Sequence, residues 1–233
     1  MIPISDDNPV GHPPFITWAI IAGCVAGYVW QASAPNAVQQ DQILRLGFVP
    51  ASLFAPGSYV PVAGALSPFT TLITALFLHG GLLHLGGNML YLWIFGNNVE
   101  DAMGHIRFVV FYLVCGAAAS LAQGLIQIDS LVPVLGASGA ISGVLAAYVL
   151  IYPRARVTVI VPLGILLYPM KISAFYVVGF WFLLQLISAA LSSRVDPGVA
   201  WWAHVGGFGA GLLLTPLLSQ FPLFGRLHRG PWE

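Results

Sequence analysis

The chain has 233 residues, 58 % of them apolar and only 7 % charged, with 8 Lys and Arg against 8 Asp and Glu. A soluble domain has about 45–50 % apolar and about 25 % charged residues, so this composition excludes an ordinary water-facing surface, and with it a soluble enzyme or a disordered chain. Zero net charge leaves no electrostatic footprint for nucleic acid, and the class that remains is an all-α polytopic membrane protein in a lipid bilayer.

Residues 1–14 carry Asp6 and Asp7 and no Lys or Arg. A cleaved signal peptide needs a basic start, so this stretch is read as a polar tail leading into the first span. Apolar runs, uncharged apart from Arg107 at the start of the third, then mark six spans: 15–34, 82–99, 106–128, 136–152, 172–193 and 201–218. A helix needs about 20 residues to cross the hydrocarbon. The fourth run is short for that, which predicts that it begins below the membrane surface, surrounded by protein. Runs 60–78 and 157–170 are broken by Pro61, Pro68, Pro162 and Pro169. Lipid cannot replace a backbone donor lost to proline, so both are expected to be interfacial or re-entrant pieces. Cys24 and Cys115 sit inside apolar runs and read as packing residues.

With the N-terminus in the cytoplasm, Arg107, Arg154, Arg156, Lys171, Arg226 and Arg229 fall inside, and Arg45 and Arg194 outside. That is the basic bias expected of six spans with both termini cytoplasmic. The organisation expected is a tail at 1–14, a six-span domain at 15–219 and a second cytoplasmic tail at 220–233.

Polar residues inside spans are functional candidates by default. His84 and Asn88 are four apart on one helix face of the second span; Ser138 opens the fourth and His204 lies near the start of the sixth. These three spans run in the same direction, so the four residues share one layer in the outer half of the membrane. A serine hydroxyl needs a base to accept its proton, which His204 can do. A tetrahedral intermediate needs donors aimed at its oxyanion, which Asn88, His84 and the Ser138 N–H can supply. No Asp or Glu lies in the cluster, so the economical reading is a Ser–His dyad. Gly139 and Gly143 on one span and Gly207 and Gly211 on another make small-residue faces that let backbones approach closely.

Four motifs occur in order: His79-Gly-Gly-Leu-Leu-His84-Leu-Gly-Gly-Asn88, Gly96-Asn-Asn-Val-Glu100-Asp-Ala-Met-Gly104, Gly136-Ala-Ser138-Gly139-Ala and Ala203-His204-Val-Gly-Gly207. Together they resemble the rhomboid family of intramembrane serine proteases, in its bacterial-type six-helix form. The resemblance implies six transmembrane helices around a water-accessible cavity, Ser138 as nucleophile, His204 as base, and His84 and Asn88 at the oxyanion. It implies cleavage of transmembrane protein substrates near the outer membrane face without a cofactor, and a structural role for Glu100. The lack of extra domains and of a targeting peptide favours a prokaryotic plasma membrane.

Two positions depart from the family pattern. A Trp-Arg pair common before the second span is replaced by Thr70-Thr71, so loop anchoring is expected to differ. The position four after the nucleophile, often an aromatic ring stacked on the histidine, is Ser142, which leaves His204 without that support. The Ser142 hydroxyl is expected to hold His204 or a water, and a phenylalanine there to be tolerated if the cavity holds the ring. Gln123, Gln127 and Gln185 read as interhelical glue, and His79 as an interfacial turn residue. The competing reading is a silent member of the same fold that binds membrane clients without cutting them.

Overall fold

The computed structural model describes residues 2–163, 166–192, 198–221 and 223; the expected placements of Arg194, Arg226 and Arg229, and most of the expected tail at 220–233, lie outside them. In chain order the elements are β1 (Ile2–Asp6), α1 (Phe15–Ala32), α2 (Asn36–Leu46), α3 (Pro50–Phe54), α4 (Pro68–Thr74), α5 (Leu82–Tyr91), α6 (Asn97–Met103), α7 (His105–Ile126), α8 (Ser138–Ile151), β2 (Arg156–Leu163), β3 (Leu166–Ser173), α9 (Ala174–Leu191) and α10 (Trp201–Leu218).

Each of the six apolar runs forms helix. Among the described residues, α1, α7 and α9 are each long and apolar enough to cross a membrane. A fourth span arises if the helical stretch Pro68–Phe77 and the rod Leu82–Met103, bent by 85° at their junction, count as one. In α10 the apolar content is diluted by His204, Thr215 and four glycines, Gly206, Gly207, Gly209 and Gly211. Helix α8 has only 14 residues, about 21 Å at 1.5 Å per residue. It tolerates that length because protein surrounds it: every residue from Gly139 to Tyr148 is buried, as the short run at 136–152 predicted. The chain is a multi-pass membrane protein.

The protein is not all-α. Strands β1, β2 and β3 form one antiparallel sheet in that order. The run at 157–170, expected as an interfacial or re-entrant piece, is a hairpin in which Arg156 pairs with Ser173 and Leu163 with Leu166. Within the expected polar tail, residues 2–6 pair with β2, from Ile2 opposite Ile160 to Asp6 opposite Val157. The Tyr148 hydroxyl at the far end of α8 donates to the Asp6 carboxylate, which joins the sheet to the central helix.

Two devices orient α5. A π-helical turn, Leu92–Gly96, separates it from α6. The wider turn shifts the helix face, so His84 and Asn88 address the cavity while the buried Glu100 addresses α1. Glu100 accepts the backbone N–H groups of Ile16 at 2.9 Å and Thr17 at 2.7 Å, and the Thr17 hydroxyl at 2.7 Å. It also bonds His105 Nδ1 at 2.6 Å. A carboxylate at a helix N-terminus meets free donors and the positive dipole end. Glu100 therefore has a structural role, as the resemblance implied: it caps the start of α1.

The small-residue faces meet. A Cβ on Gly207 would lie 2.0 Å from the Gly139 carbonyl oxygen, and one on Gly211 2.5 Å from that of Gly143. Helices α8 and α10 thus touch through their main chains. Cys24 and Cys115 are buried and free, and the Cys115 sulfur fills the space beside Gly143.

Candidate active site

The start of α8 is fixed before its side chains matter. Phe48 and Val134 exchange two backbone hydrogen bonds, at 3.1 and 2.7 Å, and the Gly136 N–H donates to Ala75 at 2.9 Å. Gly136 has φ +110°, a conformation that L residues rarely adopt. A Cβ there would also stand 2.7 Å from His84 Nε2 and 3.7 Å from Asn88 Nδ2. Glycine serves both needs, and its bareness brings both α5 side chains against the backbone leading into Ser138.

Ser138 opens α8, where Ile141 makes the first ladder bond back to Ala137 at 3.0 Å. The N–H groups ahead of it precede the ladder. The Ser138 hydroxyl lies 2.8 Å from His204 Nε2. The other ring nitrogen, Nδ1, lies 2.8 Å from Gln185 Oε1 on α9. The Gln185 amide has one orientation, because its Nε2 donates to the Trp181 carbonyl at 3.0 Å. Its oxygen is therefore the atom facing His204, and Nδ1 must be the donor. That fixes the tautomer and leaves an Nε2 lone pair for the serine proton.

The orientation of His84 and Asn88, the expected oxyanion donors, follows from the same kind of contact. His84 Nδ1 accepts the Gly80 N–H in a long bond of 3.4 Å, so the proton resides on Nε2, on the Gly136 side. Asn88 Nδ2 is buried and without a protein partner, a free donor at the same place. All of these groups line one cavity of about 1470 Å³, large enough to admit an extended chain segment. Its polar wall includes His84, Asn88, Gln123, Ser138, Gln185 and His204.

The structure brings together all four residues that the sequence nominated. It revises their surroundings. Ser142 is fully buried and donates to the Ser138 carbonyl at 2.7 Å, so it holds neither His204 nor a water in the cavity. No ring fits there. Support for His204 comes instead from Gln185, from the Trp181 ring at 6.0 Å and from the edge-on Trp201 ring at 5.9 Å. Gln185 was read only as glue; the signal for more was the lack of any carboxylate, since a basic histidine still needs an acceptor for its second nitrogen. Gln123 accepts the Ala203 N–H at 3.2 Å and so caps α10 just ahead of His204. His79, expected at an interface, is fully buried, with its backbone held by Gln31 and its ring edge-on to His84 at 5.2 Å. Thr70, in the place of the Trp-Arg pair, bonds the capping Ser67 hydroxyl at 2.9 Å.

The fold and site define a multi-pass membrane protein whose helices pair a serine with a histidine beside a large cavity. Residues 67–221 match the Rhomboid domain model, and the chain belongs to the rhomboid family. It is 31 % identical over 165 residues to RHOMBOID-like protein 4 of Arabidopsis thaliana, covering 68 % of this chain and 36 % of that protein. It is 32 % identical over 158 residues to the Arabidopsis Rhomboid-like protein 11, chloroplastic, covering 64 % and 52 % respectively. Against Rhomboid protein 1, mitochondrial, of Saccharomyces cerevisiae it is 35 % identical over 95 residues, covering 39 % and 28 %. The chain thus spans between about a quarter and a half of the length of these relatives.

Proposed function

We propose that the chain is an intramembrane serine endopeptidase that cleaves transmembrane-helix substrates near the outer membrane face. The observation that carries this reading is the chain of contacts Ser138–His204–Gln185, with both links at 2.8 Å. In this reading His204 Nε2 takes the Ser138 proton as Oγ attacks the substrate carbonyl. Asn88 Nδ2, His84 Nε2 and the Ser138 N–H receive the oxyanion. His204 then returns the proton to the leaving amine, and water admitted by the cavity releases the acyl group by the same steps. The chemistry needs no cofactor.

The reading includes six transmembrane helices, α1, the α5–α6 rod, α7, α8, α9 and α10, with both termini cytoplasmic. The common start of α5, α8 and α10 at one site supports it, because three parallel helices must be separated by two that return, α7 and α9, and α1 ahead of them makes six. The substrate is a span with small or helix-breaking residues near its outer end, since a carbonyl reaches Ser138 only when a helix frays. The relatives reported above are plant and yeast proteins, two of them named for organelles, which gives a prokaryotic plasma membrane no support.

The test is labelling by a fluorophosphonate probe together with cleavage of a reporter span by purified protein in detergent. Ser138→Ala is expected to abolish both while leaving the thermal transition unchanged. Cleavage that persists in this variant refutes the assignment. If the unaltered chain neither labels nor cleaves, it is instead a client-binding member of the family.

A further inference from the structure

The β2–β3 hairpin takes no part in the site. It follows the C-terminal end of α8, about 20 Å along that helix from Ser138. Directly opposed residues of an antiparallel pair share a face. On one face Val157 and Val159 are fully buried against the bundle, and the same face continues outward to Met170, Tyr168 and Leu166, the last two 58 % and 69 % exposed. The other face carries Arg156, Thr158 and Lys171 at its base and Ile160, Pro162, Leu167 and Pro169 farther out, so its charge is confined to the base. No Asp or Glu occurs from Arg154 to Ser173, though Asp7 on the neighbouring tail accepts the Arg156 N–H at 2.8 Å.

We propose that the outer half of this hairpin lies in the headgroup–acyl boundary of the bilayer, with Leu166, Tyr168 and Met170 toward the lipid and the basic residues at its base toward water and phosphate. Three observations converge on lipid as the occupant. First, a two-stranded ribbon is marginal in water by itself, and this one exposes apolar side chains along its outer half. Second, β3 runs without a break into α9, an apolar helix of membrane-spanning length whose first turn exposes Phe175 and Tyr176; the apolar stripe therefore joins the surface that lipid already covers. Third, exposed Arg154, Arg156 and Lys171 are placed as cations are where they meet anionic headgroups. The depth is bounded as well. β3 is an edge strand, and its outward backbone groups require water or headgroups, so the hairpin lies at the interface and does not enter the hydrocarbon.

The test uses the whole chain in nanodiscs of phosphatidylcholine and phosphatidylglycerol. Nitroxide labels are placed one at a time at Leu166→Cys and Tyr168→Cys on the apolar face, and at Thr158→Cys and Lys171→Cys on the other. The native Cys24 and Cys115 are fully buried and do not compete for the label. Collisions with oxygen are expected to exceed collisions with a water-soluble nickel chelate several-fold at 166 and 168, with the order reversed at 158 and 171. Nickel accessibility at all four positions overturns the proposal, because the hairpin then stands in water. Shielding from both reagents, with spin–spin broadening that grows with the number of chains per disc, also overturns it, because the occupant is then a second copy. Neither readout depends on proteolysis.

Discussion

Replacing Gln185 with leucine tests the base rather than the nucleophile. Gln185 is buried and its Oε1 is the acceptor for His204 Nδ1 at 2.8 Å. Leucine keeps most of the volume and removes the acceptor, which strands a buried N–H at a cost of about 1–3 kcal/mol. The ring can escape that cost by moving its proton to Nε2, but Nε2 then faces Ser138 Oγ with a hydrogen instead of a lone pair. Either way the competent state is depleted by about 1–3 kcal/mol, or roughly 5- to 160-fold in rate. Cleavage kinetics of a reporter span in detergent, with fluorophosphonate labelling in parallel, should show kcat and labelling rate falling together while KM stays near its original value. Gln185→Glu, which retains an acceptor at the same reach, should recover part of the rate. A leucine variant with unchanged kcat and labelling would refute the argument that Gln185 sets the tautomer.

Asn88→Ala removes one oxyanion donor and should lower kcat by about 10²–10³-fold, with Ser138 still slowly labelled; unchanged turnover removes Asn88 from the site. Ser142→Ala breaks only the bond to the Ser138 carbonyl and should cost tenfold in cleavage at most, about the value of one net hydrogen bond. Ser142→Phe forces a ring into a fully buried position and should lower the thermal midpoint and the activity together. Burial raises the Asp6 carboxyl from its ordinary value of 3.8 to about 6, with the Tyr148 hydrogen bond opposing the rise and neighbouring Asp7 adding to it. The folded state then holds this proton more tightly, so docking of β1 is strongest below about pH 4 and weakens up to about pH 6, by no more than about 3 kcal/mol for a partly exposed group. Hydrogen-exchange protection of the β1–β2 ladder, corrected for intrinsic rates, should follow that curve in the unaltered chain and flatten in Asp6→Asn.

Much of the site was legible because polar residues in apolar runs have few other reasons to be there. Ser138, His204, His84 and Asn88 could be ranked by chemistry alone, and the parallel sense of their spans put them in one layer. Gln185 was not legible in the same way. A lone amide in a span has the same appearance whether it bonds a neighbouring helix or a catalytic ring, and the relative rotation of α9 and α10 is not written in either helix. The sheet was missed for a different reason. Strand recognition relies on alternation of apolar and polar residues, and from Val159 to Met170 both faces of the hairpin are apolar. Its third strand lies some 150 residues away, at residues 2–6, in a segment whose two aspartates made it look like a tail. Asp6 is one of them, and it points inward to Tyr148.

In the proposed mechanism, the presence of an amide rather than a carboxylate behind His204 follows from its place within an apolar helix. An ionised Asp at the centre of a spanning helix costs about 2.5–3.5 kcal/mol on insertion scales, and one left unpaired in a dry wall costs more. An amide oxygen orients the imidazole and fixes its tautomer with no charge to bury. It gives up part of the stabilisation that a carboxylate would lend to the imidazolium formed during attack. Geometry offsets that loss. Between helices in lipid no hydrophobic force sets the spacing, so close packing of small residues must do so. Main-chain contact at Gly139–Gly207 and Gly143–Gly211 sets the distance between α8 and α10. The reach from Ser138 Oγ to His204 Nε2 is therefore held by backbone rather than by flexible side chains, and α9 supplies the tautomer. In the proposed mechanism the nucleophile, its base and the base's orienting group come from three helices, α8, α10 and α9.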